Sequence, residues 1–105
     1  MILTSRQTKA AYETHLAINT PKGKWIRLVR VSRNPNTYRS YSLDGQMLAY
    51  WLKITLVNEG DTGRRFVTFG EPLVEAVQEA ATNKGYRVII VDSSMIQDGK
   101  EGRKS

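Results

Sequence analysis

The stretch that decides the fold is RRFVTFGEPLVEAVQEAATNKGYRVIIV, Arg64 to Val91. Its middle has the marks of a helix. Pro72 suits a first helical turn, Glu75 and Glu79 lie toward the positive N-terminal end, and Gly85 after Lys84 supplies a stop. Leu73, Val77, Ala80 and Ala81 form the apolar stripe, so the spacing predicts a helix over 73–84. Before it, residues 64–69 alternate, with Val67 and Phe69 on one face and Arg64, Phe66 and Thr68 on the other. After it, YRVIIV at 86–91 is a continuous apolar run, as expected of a strand covered on at least one face. Strand, helix and strand in this order predict a β-α-β unit.

Toward the N-terminus, residues 47–57 also alternate, with Leu48, Tyr50, Leu52, Ile54 and Leu56 on one face and Met47, Ala49, Trp51, Lys53, Thr55 and Val57 on the other. They are read as a long strand that pairs with 64–69 across the loop Glu59 to Gly63. Residues 25–32 and 38–43 read as extended, separated by Asn34-Pro35-Asn36, and Asp44-Gly45 reads as a hairpin turn. His15 to Asn19 is a further strand candidate before the turn at Thr20 to Gly23, and Thr4 to Tyr12 reads as a short helix capped by Ser5. The expected fold class is α+β: a mostly antiparallel twisted sheet of about five strands, one covering helix near 73–84, and a short N-terminal helix. One domain is expected over 1–96, followed by a flexible polar tail, QDGKEGRKS, at 97–105.

Composition removes several chemistries. The 105 residues are 40% hydrophobic and 25% charged, ordinary for a folded chain, and no apolar run approaches the roughly 20 residues needed to cross a bilayer. There is no cysteine and one histidine, His15, which argues against disulfides, thiolate nucleophiles and Cys- or His-rich metal sites. No cofactor, metal site or membrane partner is expected. Polar Thr4 to Thr8 stand where a signal peptide needs an apolar segment, so a cytoplasmic location is expected. Asp61-Thr62-Gly63 spells an aspartic-protease triplet, but Gly60 and Arg64-Arg65 around it describe an exposed turn rather than a buried carboxylate pair. Neither Lys22-Gly23-Lys24 nor Asp98-Gly99-Lys100 fits a phosphate-binding loop, Asp92 has no second carboxylate after it until Asp98, and no serine or carboxylate is placed convincingly around His15 for general-base chemistry. No enzyme activity is expected.

Charge is the informative feature. The chain carries a net +6, and residues 1–53 hold nine basic against two acidic residues, whereas 54–105 hold seven against eight. From Lys22 to Arg39 there are six cations, Lys22, Lys24, Arg27, Arg30, Arg33 and Arg39, and no acid. Aromatic residues interleave with them: Trp25 lies between Lys24 and Arg27, Tyr38 and Tyr41 flank Arg39, and Trp51 stands two residues before Lys53. Cations for phosphates with flat rings for bases are what single-stranded nucleic acid requires. Pairing of 47–57 with 64–69 adds an expected sheet face bearing Trp51, Lys53, Arg64 and Phe66, unless another element covers it as a second core. The sequence thus predicts a small non-catalytic nucleic-acid-binding module, with single-stranded DNA or RNA preferred over duplex. The candidate contacts are Lys22, Lys24, Trp25, Arg27, Arg30, Arg33, Tyr38, Arg39, Trp51, Lys53, Arg64 and Phe66. The alternative is a protein-binding module or inhibitor, of viral or mobile-element type, whose basic surface docks on an acidic partner. An uncovered strand edge could pair two copies, but the oligomeric state is left open.

Overall fold

A computed structural model describes residues 3–98. Three helices and five strands follow one another: α1 (Ser5–Ala17), β1 (Trp25–Arg33), β2 (Thr37–Tyr41), α2 (Ser42–Leu52), β3 (Val57–Asn58), β4 (Arg65–Gly70), a 3-10 turn (Glu71–Leu73), α3 (Val74–Asn83) and β5 (Arg87–Asp98). The class is α+β. The sheet has the order β3-β4-β2-β1-β5 and is mixed rather than mostly antiparallel, because β1 and β5, the most extensive pair, run parallel. The strands that flank α3 are not neighbours: β2 and β1 lie between β4 and β5.

Pleat alternation gives the sheet two buried faces. On one, Ile26, Leu28, Tyr38, Val67 and Phe69 meet Leu48 of α2 and Val74, Val77 and Ala81 of α3. On the other, Val29, Val31, Tyr41 and Phe66 meet Ala11 of α1, with Tyr12 and Ile18 packed beside them. The expected separation of Phe66 from Val67 and Phe69 is therefore present, and α1 covers the Phe66 face. Among the described residues, no helix is long and apolar enough to cross a membrane.

Two sequence readings are corrected. First, α1 runs on through His15, Leu16 and Ala17, where the sequence suggests the start of a strand. Its cap is Thr4 rather than Ser5: the Gln7 N–H donates to Thr4 Oγ1 at 3.1 Å and the Thr4 N–H donates to Gln7 Oε1 at 2.8 Å, a reciprocal capping box. The buried stripe is Ala10, Ala11 and His15, whose small or polar side chains make the amphipathic signal faint. Second, the 47–57 strand is replaced by α2, then a short loop, then the two-residue β3. This run satisfies both periods, since Met47, Leu48, Trp51 and Leu52 also recur at helical spacing and pack on the first core. A strand here would bury Tyr50, which is 80% exposed. Lys53, in left-handed backbone at φ 57°, ends the helix. Residues 97 and 98 belong to β5, and the remainder of the expected tail, 99–105, lies outside the described residues.

Candidate functional site

The arginines predicted to contact a ligand are largely engaged within the protein. Arg27 Nη1 lies 3.4 Å from Asp44 Oδ2, and the same oxygen accepts the Arg27 backbone N–H at 2.9 Å. Arg30 grips Asp92 with two hydrogen bonds of 2.8 and 3.1 Å, and Arg33 reaches the same carboxylate at 3.4 Å. These bonds hold the Asp92 carboxyl below its ordinary range, Arg30 contributing most. Arg39 stacks 3.8 Å from the Phe66 ring centre, donates to the Tyr41 hydroxyl at 3.0 Å, and lies 3.6 Å from Glu59, close enough for attraction but too long for a hydrogen bond. Arg64 pairs with Glu59 at 2.8 Å and covers the Tyr12 ring.

The predicted aromatic face on the 47–57 and 64–69 strands does not form. Phe66 is 6% exposed beneath α1, and Trp51 and Lys53 belong to the end of α2 on the other side of the sheet. Tyr38 is buried in the first core, its hydroxyl donating to Glu71 Oε1 at 2.5 Å. Burial, then that hydrogen bond, pushes the Tyr38 phenol up to about 12, so it stays a neutral donor.

What the fold sets at the start of the parallel β1–β5 pair instead is two basic and aromatic pairs, one on each face of the sheet end: Lys24 with Tyr86 on the α2/α3 face and Arg87 with Trp25 on the α1 face. Trp25 is in register with Arg87, and the Arg87 N–H donates to the Lys24 carbonyl at 2.9 Å, which lays the two entry loops side by side. Gly23, at φ +124°, supplies the positive-φ turn of the first loop, where a side chain would be strained whatever the space. Gly85, at φ +83°, turns the second loop into β5.

Lys24 Nζ lies 5.6 Å from the Tyr86 ring centre, and the Arg87 guanidinium lies 5.7 Å from that of Trp25. Trp51 joins from α2, its ring 5.3 Å from Tyr86, with Lys53 two residues further on. Lys22, Lys24, Lys53, Lys84 and Arg87 are all exposed, and no carboxylate among the described residues forms an ion pair with them. Lys22, Lys24, Trp25, Trp51 and Lys53 are predicted contacts that fall here. Lys84, Tyr86 and Arg87 escape the sequence reading, because their meaning comes only from the β1–β5 pairing. The signal available in sequence is a second short acid-free run, KGYR, resembling KGKW.

His15 has neighbours that chain position hides. Its Nε2 accepts the Tyr41 backbone N–H at 3.3 Å and lies 3.8 Å from Asp44 Oδ2. Burial lowers the imidazole's pKa despite the opposing pull of Asp44, and an acceptor Nε2 is an unprotonated one. His15, Arg27 and Asp44 thus tie α1, β1 and the start of α2 together at the floor of a cleft of about 270 Å³. Leu16 and Leu43 stand exposed on its wall. Comparison with protein-family models, with curated proteins and with solved structures finds no match to this chain.

Proposed function

We propose that this protein is a small non-catalytic nucleic-acid-binding module that holds phosphates through Lys22, Lys24, Lys84 and Arg87, with Lys53 at the margin, and rests bases against the neighbouring rings. The observation that carries the reading is that these cations form no ion pair among the described residues and that Lys24 and Arg87 stand over aromatic rings, which the equally unpaired Arg6, Lys9 and Arg65 do not. Arg27, Arg30, Arg39 and Arg64 are neutralised by Asp44, Asp92 and Glu59, whereas the cations beside Tyr86 and Trp51 on one face of the sheet end, and beside Trp25 on the other, have uncompensated charge. An uncompensated patch concentrates a polyanion, and adjacent π faces favour one with unpaired bases. The surface is built from two loops and a helix end rather than from one exposed helix face, which favours single strands over the major groove of a duplex.

Charge removal tests this. Lys24→Ala combined with Arg87→Ala should weaken binding of a labelled single-stranded oligonucleotide of any sequence and lower the salt slope by roughly 0.7 for each phosphate no longer neutralised. Arg30→Ala, which removes a cation already committed to Asp92, should leave both nearly unchanged. An effect of Arg30→Ala half as large as that of the double change, in proportion to the charge removed, would mean that net charge, not this surface, governs binding. No binding by the parent protein at low salt would overturn the reading and leave the same cations to an acidic protein surface.

A further inference from the structure

We propose that the cavity where α1, α2 and the loop into β4 meet is a phosphate-binding site, built to take one phosphoryl group. It does not draw on the nucleic-acid reading, whose cations border β1 and β5; β2 separates β4 from them. The cavity has a volume of about 270 Å³, Tyr12, Ser42, Gln46, Arg64 and Arg65 are among the residues that line it, and no acidic residue does. Arg64 and Arg65 leave the chain toward opposite faces of the sheet, as Phe66 and Val67 do after them. The cavity lies at the end of the strand, so both border it: Arg64 on the α1 side, where it covers the Tyr12 ring, and Arg65 on the α2 side.

Charge favours an oxyanion here. Arg39 and Arg64 share Glu59, and Arg65 is exposed and forms no ion pair among the described residues, so three guanidiniums stand against one carboxylate. Asp61, in the same loop, is exposed and does not line the cavity. Hydrogen bonding agrees. Arg64 donates through Nη2 to Glu59 at 2.8 Å, but its Nε is buried and finds no acceptor. A buried donor left without a partner calls for an acceptor that the protein does not supply. The Ser42 hydroxyl, the Gln46 amide and the Tyr12 hydroxyl make no hydrogen bond among the described residues either. Ser42 is held at φ +57°, left-handed backbone that serine seldom adopts, and Gly63, at φ +79°, turns the loop beside the cavity. A phosphoryl group brings three acceptor oxygens and a charge of about −1.5 to −2 near neutral pH, which suits donors converging from α1, α2 and the loop better than a planar carboxylate does. At about 270 Å³ the cavity falls below the roughly 300–1,000 Å³ that drug-sized ligands use, so the rest of a larger ester would lie outside it.

The test is an NMR titration of the full chain with inorganic phosphate at constant ionic strength, followed by backbone amide shifts. Shifts at Ser42, Gly63 and Arg65 should saturate with a Kd near about 1 mM, and chloride should not reproduce them. Arg65→Gln, at an exposed position, should weaken binding about tenfold while melting like the parent. Ser42→Gly, which removes the hydroxyl where glycine suits the backbone, should weaken it severalfold and leave the fold intact. Lys24→Ala combined with Arg87→Ala should leave phosphate binding here unchanged, so this site and the nucleic-acid reading fail separately. The carrier of the phosphate is read by anisotropy. An end-phosphorylated oligonucleotide that outbinds its unphosphorylated twin, with the gain lost in Arg65→Gln, identifies a strand end; equal affinity identifies a small phosphate ester. No saturation below about 10 mM, shifts spread over every exposed cation, or a titration unchanged in Arg65→Gln would each overturn the proposal.

Discussion

Gly45→Ala sets two opposite effects against each other at one atom. Gly45 is a buried residue in the first turns of α2, and alanine in a helix is ordinarily better than glycine by about 1 kcal/mol. Here, however, the added Cβ would lie 2.5 Å from the Ser40 carbonyl oxygen and 3.2 Å from its carbon, with the Val67 nitrogen at 3.6 Å. All three are backbone atoms of paired central strands, so none can rotate away. Ser40 is further held by its hydroxyl, which donates to the Arg27 carbonyl at 2.7 Å. Overpacking of this kind costs about 1–3 kcal/mol, and a rigid backbone contact belongs near the upper end. The net expectation is a loss of about 2 kcal/mol, or a melting temperature lower by roughly 8–16 °C for a domain of this size. Thermal unfolding by circular dichroism reads it directly. Gln46→Ala, at an exposed position one residue on, should stay within about 0.5 kcal/mol of the parent. A Gly45→Ala protein as stable as the parent, or more so, would refute the close packing of α2 on β2 and β4.

Other outcomes follow from the same packing. Phe66→Ala should lose about 3–5 kcal/mol in chemical denaturation, since it removes a ring buried against Tyr41 and Arg39; a loss under about 1 kcal/mol would return Phe66 to the surface. His15 should make stability depend on pH. Its folded-state pKa lies below the free imidazole's 6.5, so its contribution is complete above 6.5 and is lost as the pH falls from there through the lowered value. As the chain's single histidine, it can be tested by comparing melting of parent and His15→Gln between about pH 7.5 and 5; equal slopes would mean that His15 is not buried neutral.

The parts of the fold legible in the sequence are those that local chemistry sets. Pro72 and Gly85 bracket α3, Asn34-Pro35-Asn36 separates β1 from β2, and the alternation in β4 sorts Phe66 from Val67 and Phe69 onto the two faces seen. What was hidden depends on distant partners. Met47 to Val57 fits both a strand and a helix, and the helix is seen only once Met47, Leu48, Trp51 and Leu52 have a core to pack on, with Gly45 close against Ser40. The Asp44-Gly45 pair, turn-like in sequence, is instead the buried start of that helix, where Asp44 meets Arg27 and His15. The candidate site was legible by half: the KGKW run marks one loop, but Lys84 and Arg87 lie in the electrically balanced half of the chain. Only the parallel pairing of β1 with β5 sets them beside it. Conversely, the arginines that make the N-terminal half look like a binding surface are paired within the protein, Arg27 with Asp44 of the same half and Arg30, Arg33 and Arg39 with Asp92 and Glu59 of the other.

The measurement that bears most directly on the central claim is fluorescence anisotropy of a labelled single-stranded oligonucleotide, and of its duplex, titrated with the parent protein between about 50 and 200 mM salt. Four phosphate contacts at Lys22, Lys24, Lys84 and Arg87 predict a log–log slope near about −3 on single strands, an affinity loss of roughly fiftyfold over that range, and weaker binding to the duplex. Absence of binding at the lowest salt, or an affinity that salt leaves unchanged, would contradict the account.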